Sequence, residues 1–201
     1  MNDLSKYLSA QIRLAMKELK HLHIHSDPEN LHQFRVRLRR TISLLKLYRP
    51  HSPLERKIKK LLKKTNKIRD LDVLLLAIDP LKYPDLYKKT EKYRNKKFLK
   101  HITKSWHKSA MRKLHIIEKK FHKVSTRHES KHYYKHKAKS RYKRTVAAFK
   151  ALASTDHEKV YHEVRIHFKI SRYALNFIQE MQIAKVSKQI KLAKKYQGAL
   201  G

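Results

Sequence analysis

The sequence predicts an all-α protein, on three observations. Apolar residues recur every three or four positions along most of the 201 residues, which is the spacing of one helix face. Lysine, leucine and alanine, which favour helices, are abundant, whereas the only two glycines, Gly198 and Gly201, stand at the end of the chain. The five prolines fall at or near the points where the periodic pattern breaks.

Capping residues mark where several helices begin. Asp27 precedes Pro28, which suits an N-cap followed by proline at the first helical position. Ser52 to Glu55 and Thr155 to Glu158 both fit the capping box, a Ser or Thr with Glu three residues later. The predicted helices cover about residues 3–24, 28–49, 53–78, 84–124 as one helix or two in line, 138–153, 155–182 and 184–197.

The connections between these helices are mostly short. The exception is the segment 125–140, which is rich in His and Lys and is predicted as a polar connection. Long helices joined by short connections favour antiparallel neighbours, so we expect helical bundles.

The charge balance predicts a polyanionic partner. The chain has 51 Lys and Arg against 16 Asp and Glu, a formal net charge of +35. Self-repulsion at this level opposes a compact fold. Nucleic acid, an anionic membrane and a phosphate polymer all fit this charge, and a merely solvated basic surface is the simplest alternative.

Several function classes are excluded by residue usage. The chain has no cysteine, which removes disulfides, thiolate metal sites and cysteine nucleophiles. Glycine-rich phosphate loops are excluded because both glycines are at the end. The N-terminus does not resemble a signal peptide, and the longest apolar run, residues 73–78, is too short to span a bilayer.

One local pattern occurs twice, as His-x-x-Arg-x-x-x-Arg/Lys. The N-terminal stripe comprises His32, Arg35 and Arg39, extended by Lys46, and the C-terminal stripe comprises His162, Arg165, Lys169 and Arg172. Spacings of three and four place each set on one helix face. The repeat predicts two similar halves related by an approximate two-fold axis.

Apolar residues occupy the neighbouring faces of both helices. These residues are predicted to be buried: Phe34, Leu38, Leu45, Val164, Phe168, Leu175 and Ile178. Each stripe then lies in solvent or along a groove. A solvated face has no need of histidine at the same point in both copies, whereas an oxyanion site uses the arginine fork and the histidine ring as donors. Because carboxylates are almost absent from the stripes, we expect their cations to have no internal partners.

Three stretches resemble the CHAD domain, the conserved histidine alpha-helical domain. They are LHQFRVRLRR at 31–40, KIRDLDVLLLAI at 67–78 and YHEVRIHFKISRYALNFI at 161–178. The resemblance covers nearly the whole chain. It implies two four-helix-bundle-like halves about a pseudo-two-fold axis, with a basic channel between them that binds inorganic polyphosphate. Known members are binding modules without catalysis of their own.

Residue by residue, the resemblance adds Arg40 to the first motif and Tyr173 to the second. The polyphosphate-binding set that we predict is therefore His32, Arg35, Arg39, Arg40, Lys46, His162, Arg165, Lys169 and Arg172. We expect a single domain over residues 1–201, with an N-terminal half of about 1–125 and a C-terminal half of about 126–201, shortened at its end. No catalytic residue, metal or cofactor is predicted.

Other patterns are assigned structural roles. Asp70 and Asp72 suit pairing with an arginine on their own or a neighbouring helix better than they suit a metal site. His128 to His132 fits H-E-x-x-H, but a zinc hydrolase needs this segment on a buried helix with a third ligand. Trp106, Tyr133 and Tyr134 are expected to pack, with base stacking as the alternative.

The predicted function is non-catalytic binding of inorganic polyphosphate, in the cytoplasm and in association with polyphosphate granules. RNA or DNA binding by a basic helical protein is the alternative, since the charge permits it although no nucleic-acid motif is present. A membrane-surface role would need exposed apolar helix faces, which folding into bundles would bury.

Overall fold

The computed structural model describes residues 2–123, 129–153 and 157–200, except for the side chains at positions 122 and 123. The described part is all-helical, as predicted, and has no strand. Its helices are α1 Asp3–Lys20, α2 Pro28–Tyr48, α3 Pro53–Ala77, α4 Pro84–His101, α5 Lys104–Lys123, α6 Lys131–Lys150, α7 Glu158–Glu180 and α8 Ser187–Ala199.

The predicted starts of α2 and α3 are confirmed. Asp27 Oδ1 accepts a 2.7 Å hydrogen bond from the backbone N–H of Glu29, so it caps α2, whose first residue is Pro28. Helix α3 begins at Pro53. Helix α7 begins at Glu158 with His157 as its N-cap, and the predicted cap Thr155 lies outside the described residues.

The alternative that the sequence left open in the middle of the chain, one helix or two, is decided by local capping. Residues 84–124, predicted as one helix or two in line, form two helices, α4 and α5. The break falls at Ile102 and Thr103, where the Thr103 hydroxyl accepts a 3.0 Å hydrogen bond from the backbone N–H of Trp106.

Helix α1 ends at Lys20, four residues earlier than predicted. It is followed by a turn in which the backbone N–H of Leu22 donates to the carbonyl of Leu19.

Residues 125–128 of the predicted polar connection lie outside the described residues, and the prediction is wrong from Lys131 onward, where helix α6 begins seven residues earlier than expected. Helix α6 starts there because Ser130 caps it, accepting a 3.1 Å hydrogen bond from the backbone N–H of Tyr133. Tyr134 is fully buried and packs edge-on against Tyr48 and Phe177. Burial of one large aromatic ring outweighs the polar character of the flanking residues.

The chain divides into two compact units that do not follow chain order. Unit 1 comprises Met1–Tyr7, Arg40–Ser52 and Lys123–Gly201, and unit 2 comprises Leu8–Arg39 and Pro53–His122. Helices α1 and α2 therefore contribute residues to both units. The predicted halves differ from these units in that the segments 1–7 and 40–52 group with the C-terminal helices.

In unit 1, α7 packs against both α6 and α8. Val164 and Phe168 of α7 and Ala193 of α8 are buried, and Phe149 and Tyr196 pack around the ring of Phe168. In unit 2, α3 packs against α4. The apolar residues predicted beside the two stripes are all buried: Phe34, Leu38, Leu45, Val164, Phe168, Leu175 and Ile178.

Candidate anion-binding site

The N-terminal stripe is represented in unit 2 by His32, Arg35 and Arg39, all on α2. Helix α2 is held there by Leu31, Phe34 and Leu38, which are fully buried. The three basic residues differ in exposure, since Arg35 is only 3% exposed, His32 is half-buried and Arg39 is exposed. The stripe thus runs from a buried arginine outward to a solvated one.

Arg35 is anchored on α3 through one of its terminal nitrogens. Its Nη1 donates to the hydroxyl of Thr65 at 2.6 Å and to the carbonyl of Leu62 at 3.1 Å. Its Nε is buried and has no hydrogen-bond partner among the described residues. Burial, followed by the charge of Arg39, lowers the pKa of Arg35 to about 10, so it remains a cation at neutral pH.

His32 lies in a positive environment. Burial is the largest cause that lowers its pKa, and the charges of Arg69, Arg39 and Arg35 lower it further, against an opposite effect from Glu29. The imidazole is therefore neutral at pH 7 in the free protein. A bound anion would oppose the effect of these positive charges on the pKa of His32, because negative charge near the ring stabilises the imidazolium.

Thr65 and Arg69 of α3 belong to this candidate site, although neither was predicted from the sequence as a site residue. Thr65 accepts the hydrogen bond that fixes Arg35, and the charge of Arg69 acts on both His32 and Arg35. Their spacing of four places them on one face of α3, beside the buried residues Ile58 and Leu62. That spacing was the available signal.

The remaining six predicted residues belong to unit 1. They are Arg40 and Lys46 on α2 and His162, Arg165, Lys169 and Arg172 on α7. Lys46 and His162 are exposed, whereas Arg40, Arg165, Lys169 and Arg172 are half-buried. The structure thus separates the nine predicted residues into a set of three and a set of six.

Arg40 and Arg172 share one aromatic ring. Their guanidinium carbons lie 5.7 Å and 5.2 Å from the ring centroid of the buried Tyr173. Cations at this distance from a ring face are attracted by its quadrupole, which offsets part of their mutual repulsion. The ring of Tyr173 therefore connects Arg40 of the first motif with Arg172 of the second within unit 1. Tyr173 was assigned to the second motif only from the resemblance.

Arg40 has protein partners that the sequence analysis did not expect. Its Nη1 donates to the hydroxyl of Tyr7 at 3.2 Å and to Glu180 Oε1 at 3.3 Å. Glu180 lies far away in sequence and reaches Arg40 only through folding. The expectation that the stripe cations have no internal partners is wrong for Arg35, which donates to Thr65 and to the carbonyl of Leu62. The Nε atoms of Arg40, Arg165 and Arg172 are buried, with no hydrogen-bond partner among the described residues.

The two acidic residues of the RDLDV segment have different surroundings. Asp72 is buried and accepts a 2.9 Å hydrogen bond from Arg94 Nε on α4, which confirms the structural interpretation for that residue. Arg94 also donates to the carbonyl of Ile24 at 2.8 Å. Asp70 is exposed. Asp72 therefore joins α3 to α4, and Arg94 joins this pair to the turn after α1 within unit 2.

The H-E-x-x-H segment is only partly described, since His128 lies outside the described residues. Glu129 accepts a 2.7 Å hydrogen bond from the Tyr134 hydroxyl and lies 3.6 Å from Arg49 Nη2. Among residues 2–121, 129–153 and 157–200, no group of three or more His, Asp or Glu side chains is placed to hold a metal ion. None of the helices in this part of the chain is long and apolar enough to cross a membrane.

Comparison with known proteins identifies the family to which this arrangement is similar. The family profile of the CHAD domain matches residues 6–201. Among solved structures, the chain is similar to the crystal structure of the CHAD domain from the plant Ricinus communis, with a TM-score of 0.72 and 25% sequence identity. That match covers 98% of this chain and 73% of the other. No curated protein matches the chain.

Proposed function

Because this chain belongs to the CHAD domain family, we propose that it binds inorganic polyphosphate through the basic side chains of α2 and α7, without catalysing a reaction. Polyphosphate is a flexible chain of oxyanions, which suits stripes made of guanidinium, ammonium and imidazole groups. We also propose that the protein is cytoplasmic and associates with polyphosphate granules.

The observation that carries the proposal is the state of four predicted arginines. Arg35, Arg40, Arg165 and Arg172 each have a buried Nε without a hydrogen-bond partner in the described part of the chain. Buried polar atoms are nearly always hydrogen-bonded in native proteins, and these four Nε atoms lack an acceptor among the described residues, as does the Nε atom of Arg141, which lies outside the predicted set. An oxyanion against the guanidinium edge would supply that acceptor.

The contacts of Arg35 and Arg40 support the same conclusion. In both residues Nη1 is already engaged by protein groups, which fixes the plane of the guanidinium. With Nη1 engaged, the edge formed by Nε and Nη2 is the one left to bind a phosphate with two parallel hydrogen bonds. A guanidinium whose orientation is already fixed by protein contacts loses less conformational entropy when it binds a phosphate.

Binding is tested by titrating the protein with long-chain polyphosphate in a calorimeter. We choose Arg39→Glu with Arg165→Glu, one residue from each stripe, because Arg35 is too buried to accept a carboxylate without harm to folding. The matched control is Arg112→Glu with Arg144→Glu, two exposed arginines outside the stripes. The stripe variant should lose at least about tenfold in affinity, well beyond the control, which has the same net charge.

Equal affinity in the two variants would show that the whole basic surface binds polyphosphate diffusely and would overturn the proposal. RNA at the same phosphate concentration should leave most of the polyphosphate bound to the stripes. Release of orthophosphate from polyphosphate by the purified protein would overturn the non-catalytic part.

A further inference from the structure

A basic groove lies on unit 2, away from the N-terminal stripe. It has a volume of about 800 Å³ and is formed by α3, the end of α4 and α5. Its lining residues are Lys57, Lys60, Leu61, Lys63, Lys64, Lys67, His101, Trp106 and Lys113. We call it the lysine groove.

The lysine groove faces away from the part of α3 that serves Arg35. Arg35 contacts Leu62 and Thr65. Successive residues of a helix are rotated by about 100° around its axis. The mean direction of Lys57, Lys60, Lys64 and Lys67 is therefore about 150° around the axis of α3 from the mean direction of Leu62 and Thr65. The lysine groove and the N-terminal stripe therefore use opposite sides of α3 and are separate features.

The charges in the lysine groove are uncompensated. Six lysines line it and no acidic residue does. Among the described residues none of the six forms an ion pair, whereas Lys59, on the same helix, pairs with Glu55 at 2.6 Å. The pKa of His101 is lowered by burial first, and then by Lys64, Lys100 and Lys97. The groove is therefore a region of positive potential that favours an anion.

The lysine groove also has apolar walls. Leu61 is 3% exposed and lies within it, and Trp106 is half-buried. The Thr103 hydroxyl holds the backbone of Trp106 in the first turn of α5. A chain of bare phosphates offers nothing to an indole ring, whereas a nucleobase stacks on it.

We propose that the lysine groove binds a short segment of single-stranded nucleic acid, with phosphates on the lysines and one base on Trp106. Lys57 to Lys67 span about 15 Å along α3, which is a length suited to two or three nucleotides. A positive groove with an aromatic platform is the general arrangement by which proteins hold single strands without reading their sequence. This binding is independent of polyphosphate binding by the stripes.

Trp106 is the only tryptophan of the chain, so its intrinsic fluorescence reports on the lysine groove alone. The protein is titrated at moderate salt with a hexameric oligothymidylate, an abasic hexamer of the same backbone and inorganic hexaphosphate. Oligothymidylate should quench the fluorescence strongly, and the other two should bind more weakly with little quenching. Equal quenching by all three probes would show a plain anion site and overturn the nucleic-acid assignment.

Variants test the two parts of the lysine groove, with labelled oligothymidylate followed by fluorescence anisotropy. Trp106→Leu should lose at least about fivefold in affinity, and Trp106→Phe should keep most of it because it retains an aromatic face. Lys60→Gln with Lys64→Gln should weaken binding more than the charge-matched control Lys88→Gln with Lys89→Gln, whose lysines are exposed on α4.

Unchanged affinity in both Trp106→Leu and the Lys60/Lys64 variant would place nucleic-acid binding elsewhere and overturn the proposal. The stripe variant Arg39→Glu with Arg165→Glu should bind oligothymidylate as well as the charge-matched Arg112→Glu with Arg144→Glu. The failure of either proposal is thus distinguishable from that of the other.

Discussion

Arg35 Nη1 donates a 2.6 Å hydrogen bond to the hydroxyl of Thr65. This contact joins α2, on which Arg35 is a predicted polyphosphate-binding residue, to α3 inside unit 2. Thr65 is fully buried and donates in turn to the carbonyl of Leu62 at 2.9 Å. The orientation of Arg35 therefore depends on a residue with no charge of its own. Arg35 contributes to the packing of unit 2 as well as to the proposed binding of phosphate.

Replacing Thr65 by valine tests this dependence. Valine has nearly the same shape, so the packing is kept while Arg35 Nη1 loses its hydroxyl acceptor. We expect a loss of about 1–3 kcal/mol in the free energy of unfolding and a severalfold loss in polyphosphate affinity. Urea unfolding and calorimetric titration measure the two effects.

The control for this substitution is Thr90→Val, at a buried position of α4 away from the stripe. It should leave the polyphosphate affinity unchanged, whatever its effect on stability. If Thr65→Val and Thr90→Val bound polyphosphate equally well, Thr65 would have no part in positioning Arg35.

Long-chain polyphosphate should stabilise the fold. A ligand that binds only the folded state adds about 2.7 kcal/mol at a free concentration one hundred times its Kd. The stabilisation should decrease steeply as salt is raised, because counterion release drives binding to a polyanion. Differential scanning fluorimetry from low to moderate salt measures both effects. An unchanged melting temperature at low salt would argue against polyphosphate binding.

The stability of the free protein should decrease as the pH falls below about 6.5. The pKa values of His32 and His167 are lowered in the folded protein, mainly by burial. Below the unfolded pKa, the unfolded chain takes up protons that the folded chain does not, so acid favours unfolding. The melting temperature should therefore fall between pH 7.5 and pH 5.5, and less so with polyphosphate bound, whose charge accommodates a protonated His32.

Substitutions test whether the imidazole ring of His32 contributes to the pH dependence of the melting temperature. His32→Gln should make the melting curve less dependent on pH, whereas His115→Gln, at an exposed position of α5, should not. Equal slopes in the two variants would show that His32 does not contribute.

Asp72→Asn should be strongly destabilising. Asp72 and Arg94 are 1% and 5% exposed, and removing one charge leaves the other buried without its counter-charge. The expected cost is about 3–5 kcal/mol in the free energy of unfolding, measured by urea denaturation. Asp70→Asn, two residues away and exposed, should change it by less than about 0.5 kcal/mol. Similar small effects at both positions would show that the buried pair is replaceable.

Much of the helical pattern could be predicted from the sequence because it depends on local chemistry. Pro28 and Pro53 start helices where their fixed backbone angle is suited to the first turn. The apolar spacing beside the stripes predicted which residues are buried. The start of helix α6 was predicted too late because it depends partly on a long-range contact: the sequence predicted that Tyr134 packs, but not that it packs against Tyr48 and Phe177.

The candidate site shows the same division. The repeated spacing of His, Arg and Arg/Lys by itself determined which residues share a helix face, since a helix face is a property of neighbours three and four apart. Folding, and not spacing, buries Arg35 on Thr65, brings Arg40 and Arg172 to the ring of Tyr173 and places Glu180 beside Arg40. Apart from the contact between the adjacent residues Arg172 and Tyr173, these contacts join residues 30 to 140 positions apart, and such pairs are chosen by packing and not by local sequence.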